Sequence, residues 1–94
     1  MDLEQLDMFI AVAEKKSFTA AARSLYISHS TVSRAVTALE QGLGVKLIER
    51  DNHVIGLTAA GEVMLEEARS IIERLNIAAE RVRAAAEEKE VDKR

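Results

Sequence analysis

No proline interrupts this chain of 94 residues, and its four glycines, Gly42, Gly44, Gly56 and Gly61, fall within one short segment. Proline and glycine are the strongest breakers of regular structure. The flanks of residues 42–61 are therefore expected to be helical, with the sharp turns confined between them. Apolar spacing supports this division. Leu3, Leu6, Phe9, Ile10 and Ala13 recur at helical intervals behind Asp2 and Gln5, a capping-box pair. They predict a first helix over residues 3–15. Ser17 is placed to cap a short alanine-rich helix over residues 18–25, whose small side chains let another helix approach closely. Tyr26 and Ile27 make a short connection, and Ser28 caps a third helix that ends near Gly42 or Gly44.

Residues 46–50 and 54–57 read as two short strands, joined through Asp51, Asn52 and His53, where Asp and Asn suit a turn. Thr58 caps a long helix whose apolar pattern runs to about Ala86, and residues 89–94 read as a fraying tail. The expected fold is mainly α. A winged helix-turn-helix of three helices and a two-stranded wing occupies residues 1–58, and a linker helix occupies residues 59–88. In such an arrangement the second helix crosses the duplex backbone and the third enters the major groove.

The third helix, within SHSTVSRAVTALE, has two unlike faces. At 100° per residue, Ser30, Ser33, Arg34, Thr37 and Gln41 share an arc of roughly 100°. Val32, Val36, Leu39 and Leu43 lie opposite and are expected to face the core. The polar side chains are short, so the helix can approach a partner closely, while Arg34 can reach a phosphate or a guanine edge. The helix N-terminus suits a phosphate. No acid stands at the centre of this face, and Glu40 is expected at its margin.

Overall charge opposes a nucleic-acid partner mildly. The net charge is −3, from 13 basic and 16 acidic residues. Its distribution matters more. Residues 17–50 carry Arg23, Arg34, Lys46 and Arg50 against Glu40 and Glu49, a local positive surplus, while the acids gather at residues 2–14 and 62–92.

The pieces LDMFIAVAEKKSFTAAARSL, SHSTVSRAVTALEQGLGVKLIER and LTAAGE, spanning residues 3–62 in order, resemble the N-terminal domain of LysR-type transcriptional regulators. The resemblance implies a dimeric regulator that binds double-stranded DNA at an interrupted palindrome. It implies that His29, Ser30 and Thr31 approach base edges, that Ser33 and Arg34 contact backbone and bases, and that the wing, residues 51–56, reaches the minor groove or backbone through His53. The candidate DNA-binding set is Ser28, His29, Ser30, Thr31, Ser33, Arg34, Thr37, Arg50 and His53. The chain departs from the family pattern at His29 and Ala35, where glutamines are common, at Thr37, where a basic residue is frequent, and at His53, where arginine is usual. These departures bear on affinity and preferred bases rather than on fold. The family's large effector-binding domain has no counterpart in these residues. A fragment of a larger regulator is expected, or a naturally short one. Any small-molecule effector would belong to that other domain, and a full-length protein could assemble further into a tetramer.

The long helix carries a second pattern. Leu65, Ala68, Ile72, Leu75, Ala79, Val82 and Ala86 are spaced by alternating steps of three and four, a heptad seam. About thirty helical residues extend about 45 Å, whereas a compact domain of residues 1–58 should measure only about 27 Å across. Part of the seam must overhang, and a second copy is its simplest cover. The resemblance adds antiparallel pairing of linker helices.

Other functions find little support. Cysteine is absent, which removes disulfides and thiolate chemistry and fits a cytoplasmic setting. His29 and His53 are the only histidines, with no acidic partners at metal-ligand spacing. No catalytic set or glycine-rich phosphate loop emerges, and no cofactor is implied. Phe9, Phe18 and Tyr26 are expected in the core rather than as stacking platforms. The longest apolar run, Met8 to Ala13, is far short of a membrane span, and the acidic start is not a signal peptide. The competing reading is a winged helix that docks a protein. The third helix argues against it, because its face lacks the large apolar or aromatic anchors that interfaces use.

Overall fold

The structure, a computed structural model, describes residues 1–51 and 54–92. Its elements follow in the order α1 (Leu3–Lys15), α2 (Phe18–Leu25), α3 (His29–Leu43), β1 (Ile48–Asp51), β2 (Val54–Leu57) and α4 (Ala59–Asp92). The expected mainly α winged helix-turn-helix with a long trailing helix is what forms.

Each helix starts on the side chain expected of it. Asp2 accepts from the Gln5 amide at 2.8 Å, and the Gln5 side chain takes the Asp2 amide at 3.2 Å. Ser17 Oγ accepts from Ala20 N–H at 3.0 Å, and Ser28 Oγ from Thr31 N–H at 3.2 Å. These contacts satisfy amides that have no partner within the helix. The first three helices end on a left-handed residue: Lys16 (φ 53°), Tyr26 (φ 58°) and Gly44 (φ 73°).

α1, α2 and α3 enclose Leu6, Phe9, Val12, Ala21, Val32, Val36 and Leu39, all at most 2% exposed. Leu43 departs from expectation. It lies on the apolar arc of α3 but is 40% exposed, because the helix end carries it past the cover of α1 and α2. The two strands pair antiparallel, Ile48 opposite Leu57 and Arg50 opposite Ile55. β1 begins two residues later than expected. The amides of Leu47 and Ile48 are held instead by the Glu40 carboxylate, at 2.8 and 3.2 Å.

α4 is fastened at its start. Thr58 N–H donates to Leu47 O at 3.0 Å. The Thr58 hydroxyl donates to Lys46 O at 2.7 Å and accepts from Gly61 N–H at 2.9 Å. Gly61 is buried against the backbone of Leu47, just before β1, and any Cβ there would collide with the Leu47 carbonyl oxygen. Met64 and Ala68 then enter the core. Arg69 makes the last tie, donating through Nε and Nη2 to Glu14 Oε2 at 3.2 and 2.8 Å. Beyond it α4 runs on for about 35 Å at 1.5 Å per residue. The helix passes its expected end near residue 88, through strong helix formers such as Glu87, Glu88 and Lys89. The result is elongated, 64 × 26 × 19 Å.

Candidate nucleic-acid interface

The inner face of α3 fixes the outer one. Val32, Val36 and Leu39 are fully buried, so Ser30, Arg34, Thr37 and Gln41 are turned to solvent, with Ser33 half-buried beside them. Among the described residues no carboxylate lies within ion-pair distance of Arg34. A guanidinium in that position keeps its donors for an outside acceptor.

Glu40 is the correction to this face. It is not at the polar margin but 8% exposed, with its carboxylate turned toward the start of β1. There it accepts the two backbone N–H groups of Leu47 and Ile48, with Lys46 Nζ 4.0 Å from its other oxygen. A carboxylate taking two amides makes strong, directional bonds. Glu40 thus pins the wing to α3 and leaves the exposed face without an acid. Periodicity alone could not find this, since an isolated Glu in a helix ordinarily belongs to the solvated side.

At the front of α3, Ser28, His29 and Ser30 are exposed. The Ser28 hydroxyl lies 2.7 Å from Thr31 Oγ1 and 3.2 Å from Ser30 Oγ. Ser28, Ser30 and half-buried Thr31 are therefore engaged with one another through their hydroxyls, while His29 is exposed beside them. Arg50 rises from β1 with its Cζ 4.3 Å from the centroid of the Phe18 ring. The same ring lies 5.9 Å from the imidazole of His29, tilted by 45°. Phe18, at 6% exposure, is thus a core residue as expected. Its ring also brings the Arg50 guanidinium of the wing and the His29 imidazole of α3 together, which no sequence spacing revealed. His53 lies outside the described residues.

Tyr26 overturns the expectation that all three aromatics are core. It is 95% exposed. At the left-handed turn Ile27 packs against the core while the Tyr26 ring points out.

The heptad seam divides. Ala68 is fully buried and Leu65 half-buried against the chain's own core, and Ile72 is half-buried. Leu75 and Val82 are 48% and 69% exposed, with Ala79 and Ala86 exposed alongside. Among the described residues no group of three or more His, Cys, Asp or Glu could hold a metal ion. No described helix is long and apolar enough to cross a membrane.

Three helices, a tight α2–α3 turn and a two-stranded wing against the third helix define a winged helix-turn-helix protein. The chain belongs to the lysR family of bacterial regulatory helix-turn-helix proteins, whose profile matches residues 3–62. It is 48% identical over 86 residues to the transcriptional regulator TcbR of Pseudomonas sp. (strain P51), covering 92% of this chain and 29% of that one. It is 40% identical over 88 residues to the Hca operon transcriptional activator HcaR of Escherichia coli (strain K12), covering 94% of this chain and 30% of the activator. The chain thus spans less than a third of the length of these relatives. Among solved structures, the DNA complex of the CbnR DNA-binding domain superposes with a TM-score of 0.89 at 48% identity, covering 92% of this chain and 99% of that one. The BenM DNA-binding domain bound to the catB site gives 0.88 at 31% identity, covering 92% and 96%.

Proposed function

We propose that this chain binds double-stranded DNA sequence-specifically as a homodimer, as the DNA-binding part of a LysR-type transcriptional regulator. The observation that carries the reading is the acid-free outer face of α3, with Arg34 exposed on it and Glu40 withdrawn beneath the wing. The reading places α3 in the major groove and the wing at the minor groove or backbone. Ser28, His29, Ser30, Thr31, Ser33, Arg34, Thr37, Arg50 and His53 are the residues assigned to DNA. The exposed members of the α4 seam are assigned to the second copy, which would set two recognition helices on separate half-sites of an interrupted palindrome. The DNA-bound CbnR and BenM domains, similar over nine-tenths of this chain, support the assignment. Binding alone accounts for such a site, and no catalytic step is assigned to it. The working compartment is then the cytoplasm.

The test is selection of bound duplexes from a random pool with the chain itself, followed by titration of Arg34→Ala. The variant is expected to lose about 1–3 kcal/mol of specific affinity, since a bidentate base or phosphate contact is worth that much. Its melting temperature should not move, because Arg34 faces away from the core. An unchanged titration would remove α3 from the binding face.

A further inference from the structure

The Tyr26 side chain has no hydrogen-bond partner among the described residues, although its backbone caps α2. Tyr26 is the most exposed large apolar residue among those described, at 95%. At φ 58° it caps α2 in the left-handed region, where glycine or asparagine is ordinarily preferred. The turn itself is well made. Tyr26 N–H reaches Arg23 O at 3.3 Å and Ile27 N–H reaches Ala22 O at 3.1 Å, while Ile27 packs against the core. A glycine would serve that turn better, and the exposed ring is available for a contact outside the chain.

Its position says what. Tyr26 stands two residues before Ser28, the cap of α3, so their Cα atoms lie within about 7 Å. A recognition helix enters the major groove with its N-terminal residues foremost. A side chain standing just outside that end meets the edge of the groove, where the phosphates lie. We propose that Tyr26 is a DNA-contacting residue whose phenol O–H donates to a backbone phosphate oxygen flanking the half-site. The proposal rests on the DNA-binding reading above and adds a contact that reading did not include. A stacking role is disfavoured, since the bases of a duplex are already stacked on one another. The phenol is neutral, so the contact anchors the recognition helix without displacing a counterion.

The test uses a contradiction that only an external role creates. Tyr26→Gly and Tyr26→Phe are prepared in the full chain, and duplex affinity is measured by fluorescence anisotropy beside thermal melting. Tyr26→Gly is expected to melt at the same temperature or higher. It should bind the selected duplex about tenfold more weakly, as loss of a hydrogen bond to a charged acceptor implies. Tyr26→Phe should show most of the same loss. The loss should be similar on an unrelated duplex, as for a phosphate contact, and the salt dependence of binding should not change. Affinity equal to that of the parent chain in Tyr26→Gly overturns the proposal and leaves the ring to a protein partner. Full affinity in Tyr26→Phe overturns the hydroxyl contact. If the parent chain itself binds no duplex, the DNA reading falls first, a result distinct from either.

Discussion

α3 and α4 are both amphipathic, yet they leave opposite faces open. In α3 the apolar stripe is satisfied inside the chain: Val32, Val36 and Leu39 are fully buried, and the side facing out is polar with one exposed guanidinium. In α4 the apolar stripe is satisfied only as far as Ala68, and Leu75 and Val82 remain in water. The difference suits two kinds of partner. A polar, acid-free face gains nothing from an apolar neighbour and suits a polyanion that supplies acceptors. An apolar stripe with small residues at Ala79 and Ala86 suits another helix that can approach closely. A protein with one face of each kind can hold two copies together while presenting two recognition helices. The Arg69–Glu14 pair and the Gly61 contact fix where α4 leaves the domain. The direction of the overhang therefore follows from the domain's own packing, and in the proposed dimer it would set the separation of the half-sites.

The largest effect should come from α4. Ile72→Asp with Leu75→Asp places two charges on the seam where it leaves the domain. The double variant is expected to be monomeric by sedimentation at tens of micromolar, where the parent chain is expected to be dimeric. Its helical signal from residues 1–68 should persist, because neither residue belongs to the core. Binding to a duplex with two half-sites should fall by orders of magnitude, toward the affinity of a single half-site, since linked sites gain effective concentration that a monomer lacks. A parent chain that sediments as a monomer would break the comparison, for the α4 stripe would then need another cover.

Glu40 sharpens the α3 side. Glu40→Ala leaves two amides at the start of β1 without their acceptor in a buried setting. It is expected to cost about 2–3 kcal/mol of stability, the penalty for unsatisfied groups bonded to a charge. Glu40→Gln retains one acceptor oxygen and should cost less. Denaturant unfolding followed by circular dichroism measures both. Equal stability of Glu40→Ala and the parent chain would mean that the carboxylate does not hold the wing.

Where local rules operate alone, the chain was legible from its residues. Asp2, Ser17 and Ser28 cap the helices they were expected to cap, and α1 and α2 have the expected limits. The α3 stripe was legible too, because burial follows the helical period. Leu43 failed that rule only because the helix outruns its neighbours. What escaped depended on contacts distant in sequence or on an unusual backbone. Glu40 reaches Leu47 across the end of α3, and a carboxylate directed inward is the reverse of what polarity alone suggests. Phe18 meets Arg50 from a strand that follows thirty residues later. Tyr26 sits in an apolar run, Leu25-Tyr26-Ile27, whose middle member is turned out by a positive φ that its residue type does not favour. The α4 seam was legible as a pattern, but its division between intramolecular and open segments required knowing where α1 ends.

The smallest effect concerns the ring that joins wing to recognition helix. Phe18→Leu keeps an apolar side chain in the core but removes the aromatic face beneath Arg50. An exposed cation over an aromatic ring is worth about 0.5–1 kcal/mol, so duplex affinity is expected to fall roughly two- to fivefold. The loss should depend on Arg50. Combined with Arg50→Ala, Phe18→Leu should cost little further, because both substitutions remove the same placement of one guanidinium. Anisotropy titrations of the parent, the two single variants and the double variant complete the cycle. If the two losses simply add, Phe18 serves the core alone, and wing and recognition helix meet DNA independently. If they do not, the polar side of α3 extends through Phe18 onto β1, and the face open to DNA spans three elements where the face open to a second copy spans one.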